Sequence, residues 1–358
     1  MSNRIIPYNK QIDGLRFLAI VSVMVGHFIR FDNPILKNTP FGYGVNLFFV
    51  ISGFLITKIL LKNKEDILNG KSTLKKVFKS FYYKRTLRIF PIYYLTIFFL
   101  LAINFQNVKD VWVWLVTYTT NFYLSFGYPY IGSFNHLWSL AVEEQFYLVW
   151  PFLIVLSPFK YVEKIIIGII LLSLAFKVYY FKMYGFSDML NASTLSCADS
   201  LGFGALAAYW NIYRPKLITK INKIWFIVII SSLPFVFFRI FSTEFYQINL
   251  VSGNFLFSIF SFFIIIKASE QKFKYVTKYI IDNKIAVHIG KISYGIYLYH
   301  LFMPDLYNQF KEWFPNTFTT EAWFRIPFYF IAALIIAEAS WFIIEKPILK
   351  LKNRFKYR

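Results

Sequence analysis

Arg16 and His27 stand eleven residues apart in one apolar stretch, IDGLRFLAIVSVMVGHFIR, from Ile12 to Arg30. At about 100° per residue in an α-helix, eleven steps return a side chain to nearly the same azimuth. The two therefore share one stripe, roughly 16 Å apart at 1.5 Å rise per residue. A neutral imidazole is a good general base near neutral pH. A guanidinium keeps its charge and can hold a phosphate or carboxylate. Ionisable groups in a membrane helix are costly and usually face a cavity, where they mark a substrate or proton path. Asp13, three residues before Arg16, lies on the same side, and a plain Asp13–Arg16 pair is the simpler alternative.

Four further stretches carry groups suited to chemistry. In YYKRTLRIFP, Arg85 and Arg88 are three apart and share a helix face. Two guanidiniums on one face suit a polyphosphate through bidentate contacts, although a basic anchor beside anionic lipid has the same composition. In HLWSLAVEEQFYLVWPF, residues 136–152, His136, Ser139, Glu143 and Tyr147 recur along one helical face, with Glu144 and Gln145 off that line. Glu143 could orient His27 or balance its charge; a helix–helix polar contact is the alternative. In GKISYGIYLYHLFMP, residues 290–304, Ser293, Tyr297 and His300 follow helical spacing, and His300 reads equally as a satisfied core histidine. Near the C-terminus, Glu338 and Glu345 are seven apart on one face, and Glu345 reads mainly as a structural partner for basic side chains. Asp199 is an intramembrane acid, Ser52 and Gly53 permit close helix approach, and Cys197 reads as a packing residue.

These groups need helices to carry them. The chain has 358 residues, is 57% hydrophobic and 22% aromatic, and has a mean hydropathy of +0.50. Those values predict an all-α, polytopic membrane bundle. Ten apolar spans are expected, at about 13–31, 41–61, 87–104, 137–157, 162–182, 196–212, 223–240, 249–267, 286–306 and 324–346. The N-terminal stretch is too long for a signal-peptide core and contains Arg16. The net charge of +21 gathers in 58–88, 213–223, 267–291 and the C-terminal tail, while the alternate loops hold almost none. Basic loops beside apolar spans are topology signals, which argues against nucleic acid and puts both termini in the cytoplasm. The single cysteine excludes an internal disulfide, and no Cys-based metal pattern is present. GxSxG, HExxH and P-loop motifs are also lacking. Segment 109–130, aromatic but polar-spotted, is placed outside as an interfacial or re-entrant element. Its Trp112, Trp114, Tyr118, Tyr123, Tyr128 and Tyr130 read as an aromatic belt, with stacking on sugar rings the alternative.

Taken in order, these blocks resemble acyltransferase family 3, the membrane O-acyltransferases of bacterial surface sugars. Arg16 and His27 match that family's Arg-x10-His pair, FFVISGFLI its second-span block and KRTLRIFPIYY its Arg-x-x-Arg block. HLWSLAVEEQFYLVWP is the most distinctive stretch, and SYGIYLYH and EKP match its last two signatures. One departure is Cys197, which stands where many members carry a basic residue two positions before the acid, here Asp199.

The resemblance implies one acyltransferase domain over 1–358, without a fused extracytoplasmic domain, in the cytoplasmic (inner) membrane. It implies an acyl donor, most often acetyl-coenzyme A, and an extracytoplasmic glycan acceptor: O-antigen, capsule, exopolysaccharide or a related polymer. No metal is expected. The expected assignments are His27, Glu143 and Arg16 for catalysis, Arg85, Arg88 and Arg16 for the donor, and Ser139, Tyr147, Tyr297 and His300 for substrate. His27 would take the hydroxyl proton as the alcohol attacks the thioester; a covalent acyl-His27 intermediate is the alternative. A transporter or flippase of a lipid-linked glycan would use the same intramembrane residue types, but no internal repeat supports it.

Overall fold

The computed structural model describes residues 8–29, 40–106, 108–221, 223–224, 246–273 and 275–351. Every regular element among them is helical. The helices are α1 (Lys10–Phe28), α2 (Gly44–Leu68), α3 (Leu74–Ala102), α4 (Val108–Val116), α5 (Thr120–Ser125), α6 (Trp138–Leu156), α7 (Phe159–Tyr184), α8 (Asp188–Ala192) and α9 (Thr194–Tyr213). After these come α10 (Tyr246–Ser269), α11 (Tyr275–Ile281), α12 (Lys284–Tyr299), α13 (Met303–Trp313), α14 (Ala322–Ser340) and α15 (Lys346–Lys350). Short polar side chains start several of them. Asn9 caps α1 through the Gln11 N–H, and Asn283 caps α12 through the Ala286 N–H. At the other end of α6, the buried Lys64 ammonium donates to the carbonyls of Ile154, Val155 and Ser157, which the helix itself cannot satisfy.

Seven helices among the described residues are long and apolar enough to cross a membrane: Lys10–Phe28, Phe41–Leu68, Leu74–Ala102, Gly132–Leu156, Phe159–Tyr184, Ser252–Ser269 and Ala322–Lys350. The protein is therefore a multi-pass membrane protein. The expected spans at 196–212 and 286–306 fall on α9 and α12, which are not among the seven. That at 223–240 lies almost wholly outside the described residues. The expected span at 87–104 is the second half of the longer α3, which runs back through the basic stretch to Leu74. Lysine and arginine are good helix formers, so apolarity marks where the lipid starts, not where the helix starts.

Segment 109–130 does not cross. Its two helices have 9 and 6 residues, well below the roughly 20 that a span needs, and the chain turns between them at Tyr118 with φ 54°. Side-chain pairing agrees. Asn46 meets Ser200 and Lys58 meets Asn211, so α2 and α9 run parallel. Three crossings between them, α3, α6 and α7, give that direction, and a fourth would reverse it.

Close helix contacts set the register of the site. A Cβ on Gly290 of α12 would lie 1.9 Å from the Asp13 carbonyl oxygen of α1. Only glycine permits that approach. From there α1 and α12 run in the same direction and bring their C-terminal ends together, which places His27 beside His300. On α2 and α9, Gly53 and Gly204 allow a similar contact, each facing a backbone carbonyl of the other helix at 2.0 Å from an added Cβ.

Candidate active site

Three of the four histidines converge. His27, in the last turn of α1, stacks on His300 at 5.0 Å between ring centroids, and its Nδ1 lies 2.9 Å from His300 Nε2. His300 is fully buried in a single 3₁₀ turn after α12, and its Nδ1 lies 2.7 Å from the Tyr297 carbonyl oxygen. His136, buried in a 3₁₀ turn before α6, packs edge-on against His300 at 4.8 Å. Its Nε2 lies 3.2 Å from the Leu298 carbonyl oxygen. Segment 286–306, expected as one continuous helix, thus breaks where these histidines meet.

The expected pairing of Glu143 with His27 is not what the fold makes. The Glu143 carboxylate accepts from Ser52 Oγ at 2.6 Å and from Tyr147 Oη at 3.2 Å, one partner on α2 and one on its own helix. Glu143 is held by these hydroxyls, and His27 meets His300 instead.

Glu143 instead lines a partly enclosed cavity. Arg16, Arg85 and Arg88 line the same space, as do Ser52, Ser139, Tyr147, Ser293 and Tyr297. Three guanidiniums and one carboxylate line the cavity, and its remaining wall is largely apolar. Such a space favours a ligand with an anionic end and an uncharged arm. The Asp13–Arg16 pair also forms, at 3.1 Å, with Tyr8 donating to Asp13 at 2.7 Å, so Arg16 makes the ion pair and faces the cavity at once. The Arg85 guanidinium lies 5.3 Å from the Tyr147 ring centre, which fixes it over that wall. Arg88 has no ion-pair or hydrogen-bond partner among the described residues.

Ser139, Tyr147 and Tyr297, read from the sequence as substrate contacts, all line this cavity; His300 and His27 do not. The connection runs through Tyr297. This residue lines the cavity, and its hydroxyl bonds Ser139 at 2.5 Å and donates to the His136 carbonyl at 3.0 Å, while its carbonyl holds His300, which in turn meets His27. Arg16 lines the cavity, and Tyr297 links that cavity to the His300–His27 pair.

Glu338 and Glu345 do not share a face, because the chain takes a π-helical turn over Trp341–Glu345 that shifts the register. Glu338 points outward to His288 at 2.8 Å, a partner that sequence reading missed, whereas Glu345 is buried and accepts from Ser340. Asp199 meets Lys177 of α7 at 2.5 Å, with both side chains buried. The basic partner absent at Cys197 is therefore supplied from another helix. Tyr118 packs into an aromatic cluster with Tyr93 and Tyr94, and Tyr123 stacks on Tyr128, while Tyr130 stays exposed. Among the described residues no group of three metal-ligating side chains is placed to hold an ion.

The acyltransferase family 3 sequence model, described as an acyltransferase domain, matches residues 9–341. Peptidoglycan O-acetyltransferase OatA of Listeria monocytogenes is 33% identical over 96% of this chain and 56% of its own length. YrhL of Bacillus subtilis, provisionally named as a peptidoglycan O-acetyltransferase, is 28% identical over 95% of this chain and 55% of its own. The chain thus spans little more than half the length of these relatives. No solved structure matches. With the family model covering nearly the whole chain, the chain belongs to acyltransferase family 3.

Proposed function

We propose that the protein is a membrane O-acyltransferase that moves an acetyl or similar acyl group from acyl-coenzyme A to a hydroxyl of a cell-envelope glycan. Peptidoglycan, the acceptor in the names of the relatives above, is the first to test. One observation carries the reading. Three guanidiniums surround a single cavity, and its wall residue Tyr297 leads directly to the His300–His27 pair. Arg85 and Arg88 take the donor's phosphates through charge-assisted hydrogen bonds. Arg16 holds the inner phosphate or the start of the pantetheine arm. Glu143, fixed by Ser52 and Tyr147, accepts a hydrogen bond from the arm's amides.

At the thioester, His27 acts as general base. The acceptor oxygen forms a bond to the acyl carbon and its proton goes to His27. The carbon–sulfur bond breaks, and the departing thiolate takes the proton back. Holding both reactants in one dry site supplies much of the rate. In this reading the chain crosses the inner (cytoplasmic) membrane ten times with both termini inside, in line with the clustering of Lys and Arg in alternate loops. The donor then comes from the cytoplasm and the acceptor from outside.

The test is coenzyme A release by the purified protein in proteoliposomes supplied with acetyl-coenzyme A and soluble peptidoglycan strands. Release that depends on the strands supports the reading. Movement of a lipid-linked glycan across the vesicle without coenzyme A release would replace it with a flippase.

A further inference from the structure

The end of α12 holds two histidines in defined hydrogen-bonding states. A helix leaves its last four carbonyls without intrahelical partners. Here the Ile296 carbonyl takes the His300 backbone N–H, the Tyr297 carbonyl faces His300 Nδ1, and the Leu298 carbonyl faces His136 Nε2. A carbonyl oxygen only accepts, so each of these ring nitrogens must carry a hydrogen. His300 is fully buried, with the His136 ring against it. Burial of an uncompensated charge is costly, so the neutral ring is the resting form. A neutral His300 with its hydrogen on Nδ1 has only a lone pair on Nε2. The 2.9 Å contact to His27 Nδ1 then requires the hydrogen to belong to His27.

We propose that His300 is a positioning residue that sets His27 in the tautomer with hydrogen on Nδ1 and the lone pair on Nε2. The catalytic meaning of this rests on His27 being the base. Reaction then uses one nitrogen only. The acceptor hydroxyl gives its proton to His27 Nε2 as the oxygen–carbon bond forms, and Nδ1–H stays on His300. When the carbon–sulfur bond breaks, the same Nε2 proton passes to the thiolate, and the ring returns to its starting tautomer. The charge present between these steps is shared with His300 through the hydrogen bond. It lies at the C-terminal ends of both α1 and α12, where helix dipoles present partial negative charge. His300 thereby fills the role sequence reading gave to Glu143, without placing a full negative charge beside the base.

The test is nitrogen NMR on the full chain, labelled with ¹⁵N-histidine and held in lipid nanodiscs. The chain has four histidines, His27, His136, His288 and His300, so single substitutions assign every signal. In the wild type, His27 is expected with pyrrole-type Nδ1 and pyridine-type Nε2. His300→Phe removes the acceptor, so His27 should redistribute toward the other tautomer. His300→Gln offers an amide oxygen and should restore the wild-type pattern in part. In parallel, His300→Phe should lower kcat about a hundredfold, the low end of what a positioned acid–base group contributes, with the KM for acetyl-coenzyme A unchanged. His300→Gln should recover part of that loss. A wild-type His27 with hydrogen on Nε2, or a folded His300→Phe with unaltered His27 signals and kcat, overturns the proposal. Retention of transfer by His27→Ala would instead overturn His27 as the base while leaving the tautomer assignment to stand on the spectra.

Discussion

His27 and His300, 273 residues apart in the chain, meet at 2.9 Å through Nδ1 and Nε2. The contact exists because α1 and α12 run side by side from the Asp13–Gly290 crossing and end at the same level. Everything proposed for catalysis lies between this pair and the arginine-lined cavity, with Tyr297 belonging to both.

Arg88 should act on donor binding more than on chemistry. It faces the cavity without a direct ion pair among the described residues, so its removal breaks no salt bridge. Arg88→Ala is expected to raise the KM for acetyl-coenzyme A about tenfold or more with little change in kcat, the pattern of a lost uniform contact. Arg88→Lys should recover only part, because an ammonium cannot make the bidentate contact. Steady-state kinetics in proteoliposomes decides this; an unchanged KM in Arg88→Ala would remove the residue from the donor site.

The Lys177–Asp199 pair makes a prediction about stability. Both side chains are buried, and Asp199 also accepts from the Ser200 backbone N–H at 2.7 Å. Removing one partner leaves a buried charge, at a cost of about 3–5 kcal/mol. Lys177→Met should therefore lower the melting temperature markedly in detergent, and Lys177→Met with Asp199→Leu should melt closer to the wild type than either single variant. If the single and double variants melt together, the pair does not couple α7 to α9 in the way described.

Two glycines should respond oppositely to one added methyl group. A Cβ on Gly53 would lie 2.0 Å from the Leu201 carbonyl oxygen, so Gly53→Ala must push α2 away from α9. A Cβ on Gly168 of α7 would meet none of the described residues beyond its own helix backbone within 4 Å. Gly168→Ala should be neutral or stabilising by about 0.5–1 kcal/mol, since it removes only backbone freedom. Thermal melts of the two variants, run side by side, check both signs. Equal behaviour would contradict the close crossing.

Much of this was legible in the residues, and the reasons differ from place to place. Long apolar runs announced the membrane helices, because lipid imposes a length that water does not. The shared face of Ser139, Glu143 and Tyr147 followed from helical periodicity alone, and all three line the cavity. The partner of His27 did not follow. Periodicity gives the face of a helix but not the neighbour across it, and α12 brings His300 there in place of a carboxylate. His136 lay on a noted stretch, yet its convergence depends on two 3₁₀ turns that no apolar pattern signals. Glu338 and Glu345 were placed together by a spacing of seven, and one π-helical turn parts them. Lys177 was hidden by its position in an apolar span, where only the structure pairs it with Asp199.

The most direct test is transfer of labelled acetyl from acetyl-coenzyme A to glycan by the wild type and His27→Ala, reconstituted at equal amounts and matched by melting temperature. Loss of at least about a hundredfold in kcat, with the donor still bound at the arginine cavity, is the predicted result. A folded His27→Ala protein that transfers acetyl at the wild-type rate would contradict the account.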